Sequence, residues 1–545
     1  MSVRFSIIGV SAAIALISAL FGLVTCSGGS GSMESGGGSP LPGTATVDVT
    51  TYHNDNARTG QNLRETVLTH TNVSSATFGK LAFYSVDGKV DAQPLVLSLA
   101  VGGETHSVVV IATEHDSVYA FDVNSGSKLW QVSLLGTGET TSDDRSCSQV
   151  VPEIGVTSTP VIDRNAGAHG TIWLVAMSTD GAGHYFQRLH ALDVTTGAEL
   201  SGSPRTIAAQ YPGSGPHSSG GNVVFDPGQY EERAALLLVN GTIYTTWTSH
   251  CDIDPYTGWV ISYDAATLMQ SAALNTTPNG SEGSYWSAGA GPAADANGIY
   301  LMSANGTFDT TLDVNGFPSG QDYGNAFLRL DTSGGGLRVA DYFTMSNTVA
   351  LSAADQDLGS GGPLLFDVAD NAGTTHHLVA GAGKNGVIYV LDRSNLGKFD
   401  ANGDHSYQQV TLSSAEFGMP AWFNGTLYFG MVSDVIRAFK LVNGKLATPP
   451  ASTSATTFPY PGTTPSISAN GTAEAILWAA ENGNTAVLHA YDANDLSNEL
   501  YNSNQAAGGR DHFGAGNKFI TPTIANGRVF IGTQNGVAVF GRLAP

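Results

Sequence analysis

The chain has 545 residues and a formal net charge of −23, with 23 Lys and Arg against 46 Asp and Glu. Its 41% apolar content is too high for a disordered polymer, and its 67 glycines are too many for a helical protein. Acidic residues outnumber basic ones and no Lys/Arg cluster offsets them, which excludes nucleic acid, whose binding depends on neutralising phosphates.

Residues 1–26 place Arg4 ahead of an apolar run that stops at Cys26, the layout of a secretory signal. The run is also long enough to span a membrane. Leu23-Val24-Thr25-Cys26 resembles a bacterial lipobox, with Thr25 where Ala or Gly usually stands. Lipidation of Cys26 is the first expectation, ordinary cleavage the second and an uncleaved anchor the third. Each exports the remainder, to the periplasm, to an outer-membrane anchor or to the cell surface. Residues 27–44 form a flexible Gly/Ser-rich linker, so residues 45–545 hold the fold.

From Val118 onward one unit recurs: a short strand ending in aromatic/aliphatic-x-Asp, then a turn of small residues. Copies end at Asp122, Asp193, Asp264, Asp331, Asp392, Lys440 and Asp492, with a degenerate eighth at Gly541. The spacing is 71 residues from Asp122 to Asp193 and shrinks to 48 between Asp392 and Lys440. The shorter interval suits a four-stranded unit of roughly 40–50 residues, so the longer ones carry insertions. Asp at the strand end can accept hydrogen bonds from the amides of the turn. Asn-Gly pairs at Asn240, Asn297, Asn385, Asn424, Asn470, Asn526 and Asn535 read as two-residue hairpins. Pro94, Pro160, Pro292, Pro363, Pro420, Pro465 and Pro522 each suit the start of an innermost strand. The segment Phe78–Val86 precedes the first unit and has no unit of its own. The expected fold is all-β: an eight-bladed β-propeller of four-stranded antiparallel blades. The N-terminal strand at 78–86 would close the last blade and remove its free edge.

Once Cys26 is lipidated or removed, Cys147 and Cys251 remain, either as a disulfide or as two separate buried thiols. Glu114-His115-Asp116 reads as polar site residues or as a turn. Histidines 184, 190, 217, 250, 376 and 377 show no zinc spacing. His250-Cys251 could form a nucleophilic pair or be structural. Nucleophile elbow, P-loop and dinucleotide motifs are absent.

Asp122-x-x-x-Gly126 followed by Leu129-Trp130 resembles the repeat of pyrroloquinoline quinone (PQQ) dehydrogenases and of related scaffold propellers. The likeness covers most of residues 78–541, with the full Trp motif only in the first unit. It implies a site in which Glu, Asn and Asp hold Ca²⁺ and a Trp stacks on PQQ. Pro152-Glu153-Ile154-Gly155-Val156 is similar to the family's Glu-x-Gly-Val segment. Trp286, 19 residues before Asn305, and Ser303-Ala304-Asn305-Gly306 resemble its stacking Trp and Asn segment. Asp355-Gln356-Asp357 resembles the region of its catalytic Asp. The resemblance thus implies Glu153, Asn305 and Asp355 as metal ligands, Trp286 and Glu153 at the cofactor, and Asp355 or Asp357 as base. Hard oxygens suit Ca²⁺, which polarises a quinone carbonyl while the carboxylate takes the substrate's proton. Each residue also has a plain structural role in a turn or in packing. The family's adjacent cysteine pair is missing, and there is no C-x-x-C-H haem motif, so electrons would leave to an external acceptor. Two functions follow: a dehydrogenase of an alcohol or sugar, or a non-catalytic monomeric propeller whose insertions bind an envelope protein or a glycan.

Overall fold

The computed structural model describes residues 46–544; the leader, the linker and Cys26 lie outside the described residues. Strands begin where the prolines predict them. The strands Leu95–Val101, Val161–Asp163, Ala293–Asp295, Leu364–Ala369, Ala421–Phe423, Ser466–Asn470 and Thr523–Ala525 each follow their proline directly. Proline lacks an N–H for the ladder, so it stands just outside the sheet it introduces. Only Leu237–Val239 opens without one.

Each of these eight strands starts a sheet of four or five strands, antiparallel except where Gln61–Asn62 lies parallel to Ser466–Asn470. The first is Leu95–Val101, Glu104–Ala112, Ser117–Asp122 and Lys128–Ser133. Ser117–Asp122 is buried at every position, whereas Lys128–Ser133 is largely open to solvent. A strand covered on both faces loses the apolar/polar alternation of a half-exposed one. The cause is visible in the packing. Leu97 and Val110 of the first sheet pack with Ile172 and Leu174 of the second, and Val96 and Val109 on its other face pack with Phe530 and Val539 of the eighth. Similar apolar layers lie between every consecutive pair up to the seventh and eighth, where Trp478 and Leu488 meet Val529 and Ile531. Each fully buried Leu, Ile or Val there contributes roughly 1.5–3 kcal/mol. Polar ties cross the same seams: Trp130 Nε1 donates to Val194 O at 3.1 Å and Trp173 Nε1 to Ala265 O at 3.1 Å.

The turn chemistry matches the motif. Asp122 Oδ1 accepts from the Ser125 amide at 2.6 Å and from the Asn124 amide at 3.1 Å, and Asp193, Asp392 and Asp492 repeat the pattern. Asn526 and Gly527 turn between Thr523–Ala525 and Arg528–Gly532 with φ of 54° and 75°, the left-handed pair of a two-residue hairpin.

The eighth sheet takes its outer strand from the other end of the chain. Phe78–Ser85 runs antiparallel to Gly536–Arg542, from Phe78 opposite Arg542 to Ser85 opposite Gly536. The longer early intervals hold a small extra sheet (Gln210–Pro212, Ser218–Ser219, Asn222–Val224) and a loop tied by a Cys147–Cys251 disulfide with Cα atoms 5.7 Å apart. That bond settles the open cysteine question and leaves His250 no thiol partner.

Residues 47–62 do something the sequence did not announce: they visit all eight sheets. Val49 pairs with Val96, and Thr50 O accepts from Ile162 N. Asn56 Nδ2 donates to Leu238 O, and Asn56 O accepts from Ala294 N. Ala57 O, Thr59 O and Gly60 O then take the amides of Leu365, Trp422 and Ile467, and Asn62 Nδ2 donates to Ile524 O. Arg58, with no exposed surface, donates to Pro292 O, Leu236 O, Tyr52 O and Thr51 Oγ1. Gly60 holds φ +69°, and a Cβ there would lie 2.3 Å from His53 Nε2, so only glycine fits.

Candidate functional site

Several segments leading into the eight first strands carry buried charge: Lys89 and Asp91, Glu231 to Arg233, Asp357 and Glu416. Three groups of side chains stand out.

The first joins the fourth and fifth sheets. Asn305 follows the strand Gly298–Met302, Lys384 follows Thr375–Gly381, and Asp355 and Asp357 follow the short helix Thr348–Ala353. Asn305 Nδ2 donates to Asp355 Oδ1 at 2.7 Å, and Lys384 Nζ reaches the same oxygen at 2.6 Å and Asp357 Oδ2 at 2.9 Å. Asn305 Oδ1 is buried with no partner among the described residues. The two carboxylates differ sharply. The Asp355 side chain is 71% exposed and that of Asp357 is 3% exposed, with its Oδ1 held by the Ser360 amide. Burial raises the Asp357 pKa against the pull of Lys384. Two carboxylates in turn hold the Lys384 ammonium charged, despite its burial. Nearby Glu282 is pushed up to about 7, by burial first and then by Asp254, Asp252 and Asp355.

Glu153 belongs to a second group. Its Oε2 lies 2.9 Å from His115 Nδ1 and accepts from Thr141 Oγ1 at 2.8 Å; no hydrogen bond joins it to Asn305 or Asp355. Asp116 beside it is buried with both oxygens unpartnered, and burial, then Glu153, holds its carboxyl well above the usual range. The structure therefore brings Asn305, Asp355 and Asp357 together and leaves the third expected ligand, Glu153, bonded elsewhere.

Trp286 anchors the third group. The Arg233 guanidinium lies 5.3 Å from its ring centroid and 4.7 Å from that of Phe519. One face of the expected stacking residue is thus shared with an arginine from the third sheet. Arg233 Nη1 donates to Gln149 Oε1 at 3.0 Å, and its Nε has no partner. Behind it Lys89 Nζ lies 2.8 Å from Asp91 Oδ2, and both act electrostatically on Glu114 and Glu231. Glu114 Oε2 accepts from the Gly155 amide and Thr157 Oγ1 at 2.9 Å each; burial, then Asp91, raises the pKa of this carboxyl well above the usual range. Below, Tyr52 of the N-terminal segment is pushed up to about 12 by burial, and Glu416, both oxygens unpartnered, to about 8.

Lys384, Arg233, Lys89, Asp91, Glu231 and Lys518 were not singled out from sequence. A signal existed for half of them: aligned on the repeat prolines, Lys89 and Asp91 fall just before Pro94, and Lys518 just before Pro522.

No family model matches the chain, and no curated protein does either. Solved structures do resemble it. Quinohemoprotein alcohol dehydrogenase from Comamonas testosteroni superposes with a TM-score of 0.59 at 15% identity, covering 91% of this chain and 80% of that one. A quinohemoprotein alcohol dehydrogenase from Pseudomonas putida HK5 gives 0.58 at 13% identity over 91% and 80%. A europium-containing methanol dehydrogenase gives 0.54 at 13% identity over 91% and 98%. At this identity the likeness establishes the fold, a β-propeller like that of the quinoprotein dehydrogenases.

Proposed function

We propose that the chain is an exported eight-bladed propeller, closed by its 78–85 strand, that works as a quinoprotein-type dehydrogenase of an alcohol or sugar. The cyclic series of apolar layers and the pairing of the two chain ends support the ring. Export, with Cys26 as a lipid anchor, rests on the leader and linker sequence, and the propeller is read as a monomer.

One observation carries the activity: the bond between Asn305 and Asp355 across two sheets. It leaves Asn305 Oδ1 buried and unpartnered next to an exposed carboxylate. A hard cation such as Ca²⁺ is satisfied by such oxygens, so Asn305 and Asp355 fit a metal and would hold it. Glu153, bonded to His115 and Thr141, fits as a ligand only by giving up those contacts. When bound, PQQ supplies the hydride acceptor and the metal polarises its carbonyl. The protein's own part is proton transfer. Asn305 and Lys384 fix Asp355 through Oδ1 and leave Oδ2 free to accept the substrate's hydroxyl proton. Asp357, buried and bound to Lys384 and Ser360, positions that lysine rather than meeting substrate.

A second reading, a non-catalytic propeller binding an envelope protein or glycan, is favoured by Arg233 over the Trp286 ring and by the engagement of Glu153. Calorimetric titration of the chain from residue 45 with PQQ, with and without Ca²⁺, separates the two. Ca²⁺-dependent binding that Asn305→Ala abolishes supports the dehydrogenase. An absence of heat at high micromolar PQQ leaves the binding protein.

A further inference from the structure

We propose that residues 143–152 form a cover latched by the Cys147–Cys251 disulfide, and that thiol–disulfide exchange at this bond sets access to Arg233 and Phe519 beside Trp286. What enters under the cover rests on the dehydrogenase reading; the latch does not.

The cover springs from a narrow neck, where Ser142 and Ile154 exchange two main-chain hydrogen bonds of 2.8 and 2.9 Å. Among the described residues, no main-chain hydrogen bond joins residues 143–152 to any other part of the chain. Side chains make the contacts instead. Gln149 Oε1 accepts from Arg233 Nη1, in the segment before the third sheet, at 3.0 Å. Val150 is buried in one apolar cluster with Met177 of the second sheet, Ala288 ahead of the fourth and Phe519 ahead of the eighth. Arg145 donates to Gly228 O, and Asp143 Oδ1 accepts from the Tyr185 hydroxyl at 2.8 Å. Covered in this way, Arg233 is 6% exposed and Phe519 7%.

One covalent bond dominates that attachment. Cys147 lies in the middle of the loop, and Cys251 stands just past the strand Thr242–Ser249 of the third sheet. Single hydrogen bonds and one valine's packing exchange readily with water; the disulfide does not. Around the bond, Arg145, Ser146, Ser148 and Cys251 hold φ of 46°, 63°, 56° and 66°, left-handed values that residues with a Cβ disfavour. No ladder imposes these angles on the loop, so it has a conformation to relax into once the bond opens. Both cysteines are partly exposed, within reach of a small thiol. A dithiol donor supplies the two electrons. Its thiolate attacks one cysteine sulfur and the other cysteine leaves, taking up a proton. The donor's second thiolate then closes its own disulfide and releases the second cysteine, leaving two thiols in the protein. As the tip lifts, Arg233 loses the Gln149 bond that helps to hold it over Trp286.

Hydroxyl-radical footprinting of the full chain, well below its unfolding temperature, compares the oxidised protein with Cys147→Ser/Cys251→Ser. Phe519 and Met177 should gain roughly threefold or more in labelling, the mark of a local opening. Phe530, Phe540 and Met302, fully buried in the eighth and fourth sheets, should not change. In the wild-type chain, trypsin should cut after Arg145 about tenfold faster once a phosphine has reduced the bond, and still not after buried Arg58. Unchanged labelling of Phe519 and Met177, or an unchanged rate at Arg145, overturns the proposal. Cleavage at Arg58 on reduction overturns it too, since the bond would then hold the whole fold rather than the cover. Where only the serine variant loosens throughout, the trypsin rates decide. Faster PQQ binding after reduction supports the cover as the cofactor's gate. An opening at Phe519 in a protein that ignores PQQ keeps the latch and discards the dehydrogenase.

Discussion

Replacing Arg58 by methionine tests whether the N-terminal segment belongs to the cooperative fold or merely rests on it. The guanidinium makes four hydrogen bonds of 2.8–3.1 Å, two of them within its own segment and two to carbonyls that introduce the third and fourth sheets. Burial pulls it down to about 10, so it is still charged at neutral pH. Methionine fills much of the volume but orphans four buried acceptors, at about 1 kcal/mol each or roughly 4 kcal/mol in all. With an unfolding entropy of about 2.1 cal/mol/K per residue, a domain of ~500 residues loses roughly 4 °C of Tm for that change. Differential scanning calorimetry reads it directly. A fall of 3–6 °C in a single transition is expected. A shift below 1 °C, or an early separate transition, would refute the view that residues 47–62 are integral to the fold.

Glu416 gives a pH signature of definite sign. Burial raises its folded pKa to about 8, so between about pH 4.5 and 8 the folded state holds a proton that the unfolded chain has released. Stability therefore falls across that window as pH rises. Glu416→Gln should show a smaller drop in Tm between pH 5 and 8.5 than the wild type; identical slopes would contradict the burial argument. The Cys147–Cys251 bond closes a separation of 104 residues, worth about 4–5 kcal/mol in the chain-entropy account. Reduction with a phosphine should lower Tm by several degrees, read by the same calorimetry, and an unchanged Tm would deny the bond a stabilising role.

The sheets were legible because their signals are local. A proline before seven of the eight first strands, an Asn-Gly turn and, in most units, an Asp at the third strand's end each act within a few residues. The segment from Val47 to Asn62 has none of these: it gives mostly one bond to each of eight sheets, and only Gln61–Asn62 forms a ladder, too short to impose alternation on its side chains. Asn305 and Asp355 were readable from a family likeness and do meet. Lys384, which binds Asp355, was hidden in Gly-Lys-Asn-Gly, a sequence that reads as a hairpin turn. The grouping of Glu153 with His115 rather than with Asn305 depends on how neighbouring sheets face one another, which no spacing along the chain encodes. Whether Cys147 and Cys251, the one pair the sequence offered, bond or stay apart was open for the same reason.

The pairing of Phe78–Ser85 with Gly536–Arg542 also governs how the molecule can be made. A chain made N-terminus first must hold that early strand without its partner until Gly536–Arg542 has emerged. Pairings so distant in sequence are slow to form and leave an unpaired edge open to proteases and aggregation meanwhile. A stop codon shortly before Gly536 would therefore do damage out of proportion to the few residues it removes. Chaperone protection during synthesis would matter more for this chain than for one that folds as it emerges.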